Sequence, residues 1–135
     1  GKDRILLKLS FDGKTTTFTY KQLQAFAALR YEVTHPQLQK TFVYEGVALR
    51  DLAILMKSAG KNLRIEANNG FVTTILAEDY MNEPIMLAYQ ANNKPIPVLE
   101  KGPLTVVLPS KPERFHSRAY SAAWVWFVER MTPAP

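Results

Sequence analysis

Cationic and aromatic side chains that could bind a ligand are concentrated in one segment near the C-terminal end of the sequence. That segment reads Lys111-Pro-Glu113-Arg114-Phe115-His116-Ser-Arg118-Ala-Tyr120, and it combines several cations with two aromatic rings. Arginine can pair with a phosphate or a carboxylate through two hydrogen bonds, and an aromatic ring can stack on a planar heterocycle. Binding residues are concentrated in loops that a rigid scaffold holds in place. The pattern therefore predicts a ligand-binding loop, with a solvated basic loop as the alternative.

The sequence lacks the common catalytic and metal-binding motifs. It contains no cysteine, which excludes disulfides, thiolate nucleophiles and metal sites with cysteine ligands. The GxSxG, HExxH and glycine-rich phosphate-binding patterns are also missing. The two histidines, His35 and His116, are far apart, and no spacing around either one predicts a metal site. We therefore predict no catalytic residue and no metal ligand, although scattered carboxylates could still converge in the fold.

Two tryptophans lie two residues apart in the late apolar run AAWVWFV. On a strand, Trp124 and Trp126 would face one side while Val125 and Phe127 would face the other. Both faces would then be apolar, as in a buried strand. We expect these rings to pack in the core, with the alternative that one of them forms the floor of a pocket.

Length and charge limit the classes of protein that these residues can belong to. The chain has 135 residues, of which 47% are apolar and 21% charged, so we expect a single globular domain spanning residues 1–135. The net charge of +5 favours anionic ligands but is too small to predict nucleic-acid binding. No apolar run approaches the roughly 18 residues that cross a bilayer, so we expect no direct membrane insertion.

Periodicity and turn residues predict an α+β domain with more strands than helices. The Asp12-Gly13 and Asn68-Asn69-Gly70 sequences predict hairpin turns, and Glu45-Gly46 predicts a further turn. Helices are predicted at residues 20–29, 47–58 and 77–81, and a frayed tail at 132–135. Strands are predicted at residues 5–11, 14–20, 30–34, 41–44, 63–67, 71–76, 85–90, 104–108 and 123–128.

Between residues 41 and 131, the order of motifs resembles the sulfite-oxidase-type molybdopterin-binding domain family. The segments that carry the resemblance are FVYEGVALRDL at 42–52, ANNGF at 67–71, MLAYQANNKPI at 86–96, KGPLTVVLP at 101–109 and the late Trp124. The resemblance implies a mixed, β-rich single domain with a partly barrel-like core. It also implies a pterin or molybdopterin-like ligand, held between the loops at residues 34–39 and 111–120.

The chain departs from the family pattern at three positions. Family enzymes hold molybdenum through a cysteine thiolate, expected near residues 35–41, and this chain has none. Thr105 replaces an arginine of the Gly-Pro strand motif, and Ala123 replaces a basic residue before the late tryptophan. The resemblance therefore implies a pterin ligand without molybdenum.

A pterin needs a stacking ring and polar partners around its edge. We expect the stacking ring to come from Tyr120, Phe115 or Trp124. We expect polar contacts from His35, Arg114, His116 and Arg118, and an acceptor for the amino group of the pyrimidine ring from Glu113.

Cysteine-less small members of the family look like periplasmic pterin-binding proteins, some of which are ligand-loaded partners of membrane-bound signalling receptors. The resemblance thus implies a non-catalytic pterin-binding protein in the periplasm, with its signal peptide removed and a receptor's periplasmic domain as its partner. One alternative is a molybdopterin-dependent oxidoreductase, or the remnant of one, with an unusual metal ligand. Another is an interaction domain with an empty pocket.

Overall fold

Two five-stranded sheets and three short helices form the fold in the computed structural model, which describes residues 4–135. The strands are β1 (Ile5–Phe11), β2 (Lys14–Thr19), β3 (Ala28–His35), β4 (Lys40–Ala48), β5 (Leu63–Ala67), β6 (Val72–Ile75), β7 (Met86–Ala91), β8 (Lys94–Pro95), β9 (Thr105–Val107) and β10 (Val128–Pro133). The α-helices are α1 (Tyr20–Gln24), α2 (Leu49–Leu55) and α3 (Ala77–Tyr80), and the 3₁₀ helices are Val98–Glu100, Glu113–His116 and Arg118–Ala123. The predicted α+β class is confirmed.

The first sheet has the strand order β2-β1-β10-β5-β6, in which only the β1–β10 pair is parallel. The second sheet has the order β3-β4-β7-β8, and β9 also pairs with β7. One continuous apolar cluster takes side chains from both sheets, including Leu9 and Ile65 of the first and Tyr44 and Leu87 of the second. None of the described helices is long and apolar enough to span a bilayer.

Local signals predicted the first hairpin and the start of α1 correctly. Asp12 and Gly13 adopt positive φ angles of 52° and 72°, as the tight turn between β1 and β2 requires. The Thr19 side chain accepts a hydrogen bond from the Gln22 backbone N–H, and the Gln22 side chain accepts one from the Thr19 N–H. This reciprocal capping box begins α1 at the predicted residue. The helix ends at Gln24 rather than at 29, because the chain from Ala28 onward pairs with β4.

The turn predicted at Glu45-Gly46 is wrong, since β4 continues through both residues. Gly46 is required there for another reason: a Cβ atom would lie 2.2 Å from the backbone oxygen of Leu87 on the neighbouring strand. The close approach of β4 and β7 also explains why α2 begins at Leu49, not at Val47 as predicted. Val47 pairs with Ala28 on one side and Leu87 on the other, so strand pairing overrides its helical spacing.

The C-terminal region also differs from prediction. The predicted strand 123–128 is wrong except for its last residue: residues 123–127 belong to no strand, with an isolated bridge between Trp126 and Thr105 and a φ of 57° at Phe127, and Val128 begins β10. The last strand is β10, in the middle of the first sheet between β1 and β5. The tail predicted to be frayed is therefore paired, and the Ala134 N–H donates to the Asn62 carbonyl at 2.8 Å. A central strand position supplies partners that local sequence does not reveal.

Candidate functional site

A cleft of about 170 Å³ lies where the loops at residues 34–39 and 111–120 meet. Val33, Thr34 and Pro36 form one side of it, at the end of β3. The other side consists of Pro109, Phe115, His116, Ser117, Arg118, Ser121 and Trp124. The structure thus brings the segment around residue 35 next to the cation-rich segment, although some 80 residues separate them in the chain.

The backbone of both loops is shaped by local sequence. Pro36 follows the last residue of β3, and the chain turns back so that the Gln39 N–H donates to the His35 carbonyl at 2.7 Å. In the second loop, Pro112 and Ser117 lie at the N-terminal ends of the two 3₁₀ helices Glu113–His116 and Arg118–Ala123. The side-chain nitrogen Nε2 of Gln37 lies 3.5 Å from the Ser121 carbonyl oxygen, so the two loops approach each other across the cleft.

His35 is fully buried directly behind the cleft. Its Nδ1 accepts hydrogen bonds from the backbone N–H groups of Gln37 at 3.2 Å and Leu38 at 3.4 Å. Burial, with a smaller contribution from the positive charge of Lys101, lowers the pKa of His35 from 6.5 to about 4. Its Nε2 has no hydrogen-bond partner among residues 4–135. The imidazole ring packs against the Trp124 indole, with 5.0 Å between ring centroids.

The cations predicted for the site have different surroundings. His116 lines the cleft, and its Nε2 donates to the Ser110 carbonyl at 2.7 Å. Arg118 also lines the cleft and is exposed, and within the described residues its guanidinium takes part in no ion pair. Glu113 is exposed and lies outside the cleft lining. Arg118 is therefore the cation best placed to meet an anionic or carbonyl group of a ligand.

Arg114 and Tyr120 converge on a residue that sequence reasoning missed, Asp79 of α3. Arg114 donates to Asp79 Oδ1 through Nη2 at 2.7 Å and Nε at 3.3 Å, and the Tyr120 hydroxyl donates to Oδ2 at 2.8 Å. Asp79 is only 1% exposed. Burial and the hydrogen bond with Asp79 raise the pKa of Tyr120. Nothing local distinguishes Asp79 from its exposed neighbour Glu78, so only the fold reveals this anchor.

The aromatic residues predicted for the site line two different cavities. Phe115 and Trp124 are both 5% exposed and line the cleft. Tyr120 contacts the Phe115 ring edge-on at 5.1 Å but lines a second cavity of about 310 Å³, together with Thr74, Leu76 and Ala123 among others. Trp126 lies under the Lys101 ammonium, 4.2 Å from the ring centroid, a contact the sequence did not predict.

The donor set does not fit a thiolate-ligated molybdenum. The chain has no cysteine, and in residues 4–135 no group of three or more His, Asp or Glu side chains could hold a metal ion. Thr105 is fully buried and donates its hydroxyl to the Val125 carbonyl at 3.0 Å, so it provides no charge there. Trp124, Phe115 and Arg118 of the cleft lining are residue types that can contact a pterin ring, although each of the two aromatic rings is only 5% exposed. The cleft is smaller than the roughly 300–1,000 Å³ of most ligand pockets.

Comparisons with known proteins agree with this architecture. A family model described as "Oxidoreductase molybdopterin binding domain" matches residues 7–124. The sulfane dehydrogenase SoxCD from Paracoccus pantotrophus is similar in structure, with a TM-score of 0.70 and 21% sequence identity. The alignment covers 98% of this chain but 38% of the SoxCD chain, so it shows a shared fold. A search among curated proteins gave no match.

Proposed function

The chain belongs to the oxidoreductase molybdopterin-binding domain family, and from this premise we propose that it is a non-catalytic pterin-binding protein. The observation that carries the proposal is the cleft between the turn after β3 and the segment from Pro109 to Trp124. It combines two buried aromatic rings with an exposed arginine that has no ion-pair partner among the described residues.

Each lining residue has a role that its position supports. Trp124 and Phe115 would contact the faces of the heterocycle, and Arg118 would donate to a carbonyl or phosphate group on it. His116 would position the loop instead of contacting the ligand through Nε2, since that nitrogen already donates a hydrogen bond to the Ser110 carbonyl. A bound pterin would supply a redox-active ring, while this chain would bind it, orient it and shield one face from water.

The side chains present support binding without metal chemistry. A soft thiolate is the ligand on which family enzymes depend, and imidazole or hydroxyl groups are poor substitutes for it. The positions where the family carries basic residues hold Thr105, which is bonded within the core, and Ala123. Family membership keeps one alternative in view: an oxidoreductase, or its remnant, with an unusual metal ligand.

The experiment is mass spectrometry of small molecules released from the purified protein, combined with metal analysis. The protein would be produced in a host that makes molybdopterin and in a matched strain that cannot. We expect a pterin and less than a tenth of an equivalent of molybdenum. One equivalent of molybdenum with dye-reducing activity would favour the oxidoreductase. Absence of any pterin, together with no binding of added pterin at millimolar concentration, would contradict both.

For the biological role, we propose a periplasmic protein that, once loaded with its ligand, binds the outer domain of a membrane signalling receptor. Lys111 and Arg118 are exposed beside the cleft and would contact an acidic surface. Coupling between ligand and partner must be reciprocal, so pterin should change receptor affinity by the factor by which the receptor changes pterin affinity. Interferometry against a candidate receptor domain, with and without pterin, tests this. Equal affinities would remove the signalling role and leave pterin binding standing.

A further inference from the structure

A buried hydrogen-bond donor without an acceptor lies next to the cleft. Because Nδ1 of His35 accepts two backbone N–H groups, it carries no proton, and the proton of the neutral ring must be on Nε2. That N–H group is fully buried and has no acceptor among residues 4–135. Buried donors without partners are rare and destabilise a fold, so each one calls for an explanation.

One side chain, Trp124, adjoins both the buried imidazole and the cleft. Thr34 and Pro36 line the cleft, whereas His35 between them points to the interior. The Trp124 indole lines the cleft and also contacts the imidazole, with 5.0 Å between the ring centroids. Trp124 belongs to no strand, and its backbone N–H makes only a long, 3.4 Å bond to the Ser121 carbonyl. Rotation of its side chain would therefore break no ladder hydrogen bond, but it would take an indole that is only 5% exposed out of the apolar core.

We propose that Trp124 is the gate of the pterin site and that the His35 Nε2–H group behind it donates a hydrogen bond to the bound ring. This inference rests on the proposed function and names the atom that recognises the ligand. A pterin carries a carbonyl oxygen and ring nitrogens as acceptors, so it can meet a donor that no protein group meets. Displacing the indole also enlarges a cleft that is small for a bicyclic ligand, and the displaced indole would still contact one face of the bound ring, as the proposed function requires.

The lowered pKa of His35 is consistent with this role. A neutral imidazole presents one fixed donor at Nε2, whereas a protonated one would lose both hydrogen bonds to the turn. Burial is the main cause of the lowered pKa, and the positive charge of Lys101 adds to it.

Two substitutions separate the two nitrogens of the ring. His35→Asn places an acceptor near the position of Nδ1 and keeps the turn, but removes the Nε2–H donor. His35→Gln places donors near the position of Nε2 but loses the acceptor for the turn. Tyr44→Phe is the matched control, because it removes the Tyr44 hydroxyl, the other buried side-chain atom without a partner among residues 4–135, which lies four residue pairs away in the β3–β4 ladder.

The measurement is calorimetric titration with 2-amino-4-oxopteridine. We expect His35→Asn to weaken binding about 5- to 150-fold, the range for losing one buried hydrogen bond. His35→Gln should lie within a few-fold of the wild type, and Tyr44→Phe should match it. Thermal unfolding of each variant checks that it is folded. If the wild type binds and His35→Asn binds equally well, the role of His35 is wrong and the proposed function stands. If the wild type does not bind, both fail.

Two measurements that keep the native histidine make the result independent of those variants. In ¹⁵N NMR, the Nε2 resonance should shift when the pteridine is added, while a constant resonance in the saturated complex would overturn the assignment. In the Trp126→Phe variant, Trp124 is the sole tryptophan, and its emission should change at the same ligand concentration. Unchanged Trp124 emission in the saturated complex would overturn the gate.

Discussion

The burial of His35 predicts a specific loss of stability as the pH falls. The folded protein holds the pKa of this imidazole at about 4, whereas in the unfolded chain it returns to 6.5. Between those values the unfolded chain binds the proton and the folded protein does not. The contribution of neutral His35 to the free energy of unfolding should therefore be fully present above pH 6.5 and decrease as the pH falls toward 4. Below pH 4 this residue should cause no further loss of stability.

The magnitude follows from the two pKa values. One pH unit of difference corresponds to about 1.4 kcal/mol, so the full effect is about 3 kcal/mol. At pH 5, most of this has been lost, and the free energy of unfolding should be about 2 kcal/mol lower than at pH 7.5. This is a large part of the roughly 5–15 kcal/mol that holds a typical domain folded.

The assay is urea unfolding at several pH values from 7.5 to 5, followed by circular dichroism, for the wild type and His35→Asn. The variant removes the titrating ring but keeps an acceptor for the turn, so the difference between the two pH profiles isolates His35. His116→Gln is the control, since the amide can still donate to the Ser110 carbonyl, and it should retain the wild-type pH dependence. Equal losses in the wild type and in His35→Asn would refute the reasoning.

Three further predictions concern the cleft and the packing around it. Arg118→Ala should weaken pteridine binding by about 1–3 kcal/mol in calorimetry, whereas Lys111→Ala, outside the lining, should change it far less; equal effects would indicate general charge attraction. Asp79→Ala leaves the Arg114 guanidinium and the Tyr120 hydroxyl without their acceptor, so it should lower the free energy of unfolding in urea by about 2 kcal/mol. The control Glu78→Ala, at an exposed position, should change that free energy by less than about 0.5 kcal/mol. Gly46→Ala should lower the free energy of unfolding by about 1–3 kcal/mol or more in the same assay, because the added Cβ would overlap the β7 backbone. An unchanged free energy of unfolding would contradict the close approach of β4 and β7.

Features governed by a few neighbouring residues were accessible from the sequence. The Asp12-Gly13 hairpin, the capped start of α1 and the β5–β6 hairpin each depend on turn or capping chemistry within a few positions, and all three are present. The composition of the segment 111–120 also identified one wall of the cleft. The order of motifs indicated the family, because that order reflects the succession of strands and turns.

Tertiary structure decided what depends on distant partners. The Glu45-Gly46 pair looks like a turn, yet it continues a strand because β7 lies close beside it. Residues at the end of the chain form a central strand because β1 and β5 supply hydrogen bonds on both sides.

The site shows the same division between residue type and environment. A histidine before a proline can be an exposed loop residue or, as His35 is here, a buried donor, and only packing separates the two. Asp79 became the anchor of Arg114 and Tyr120 because α3 packs beneath their loop. Residue types set which interactions are possible, and the environments that long-range contacts create set which of them form.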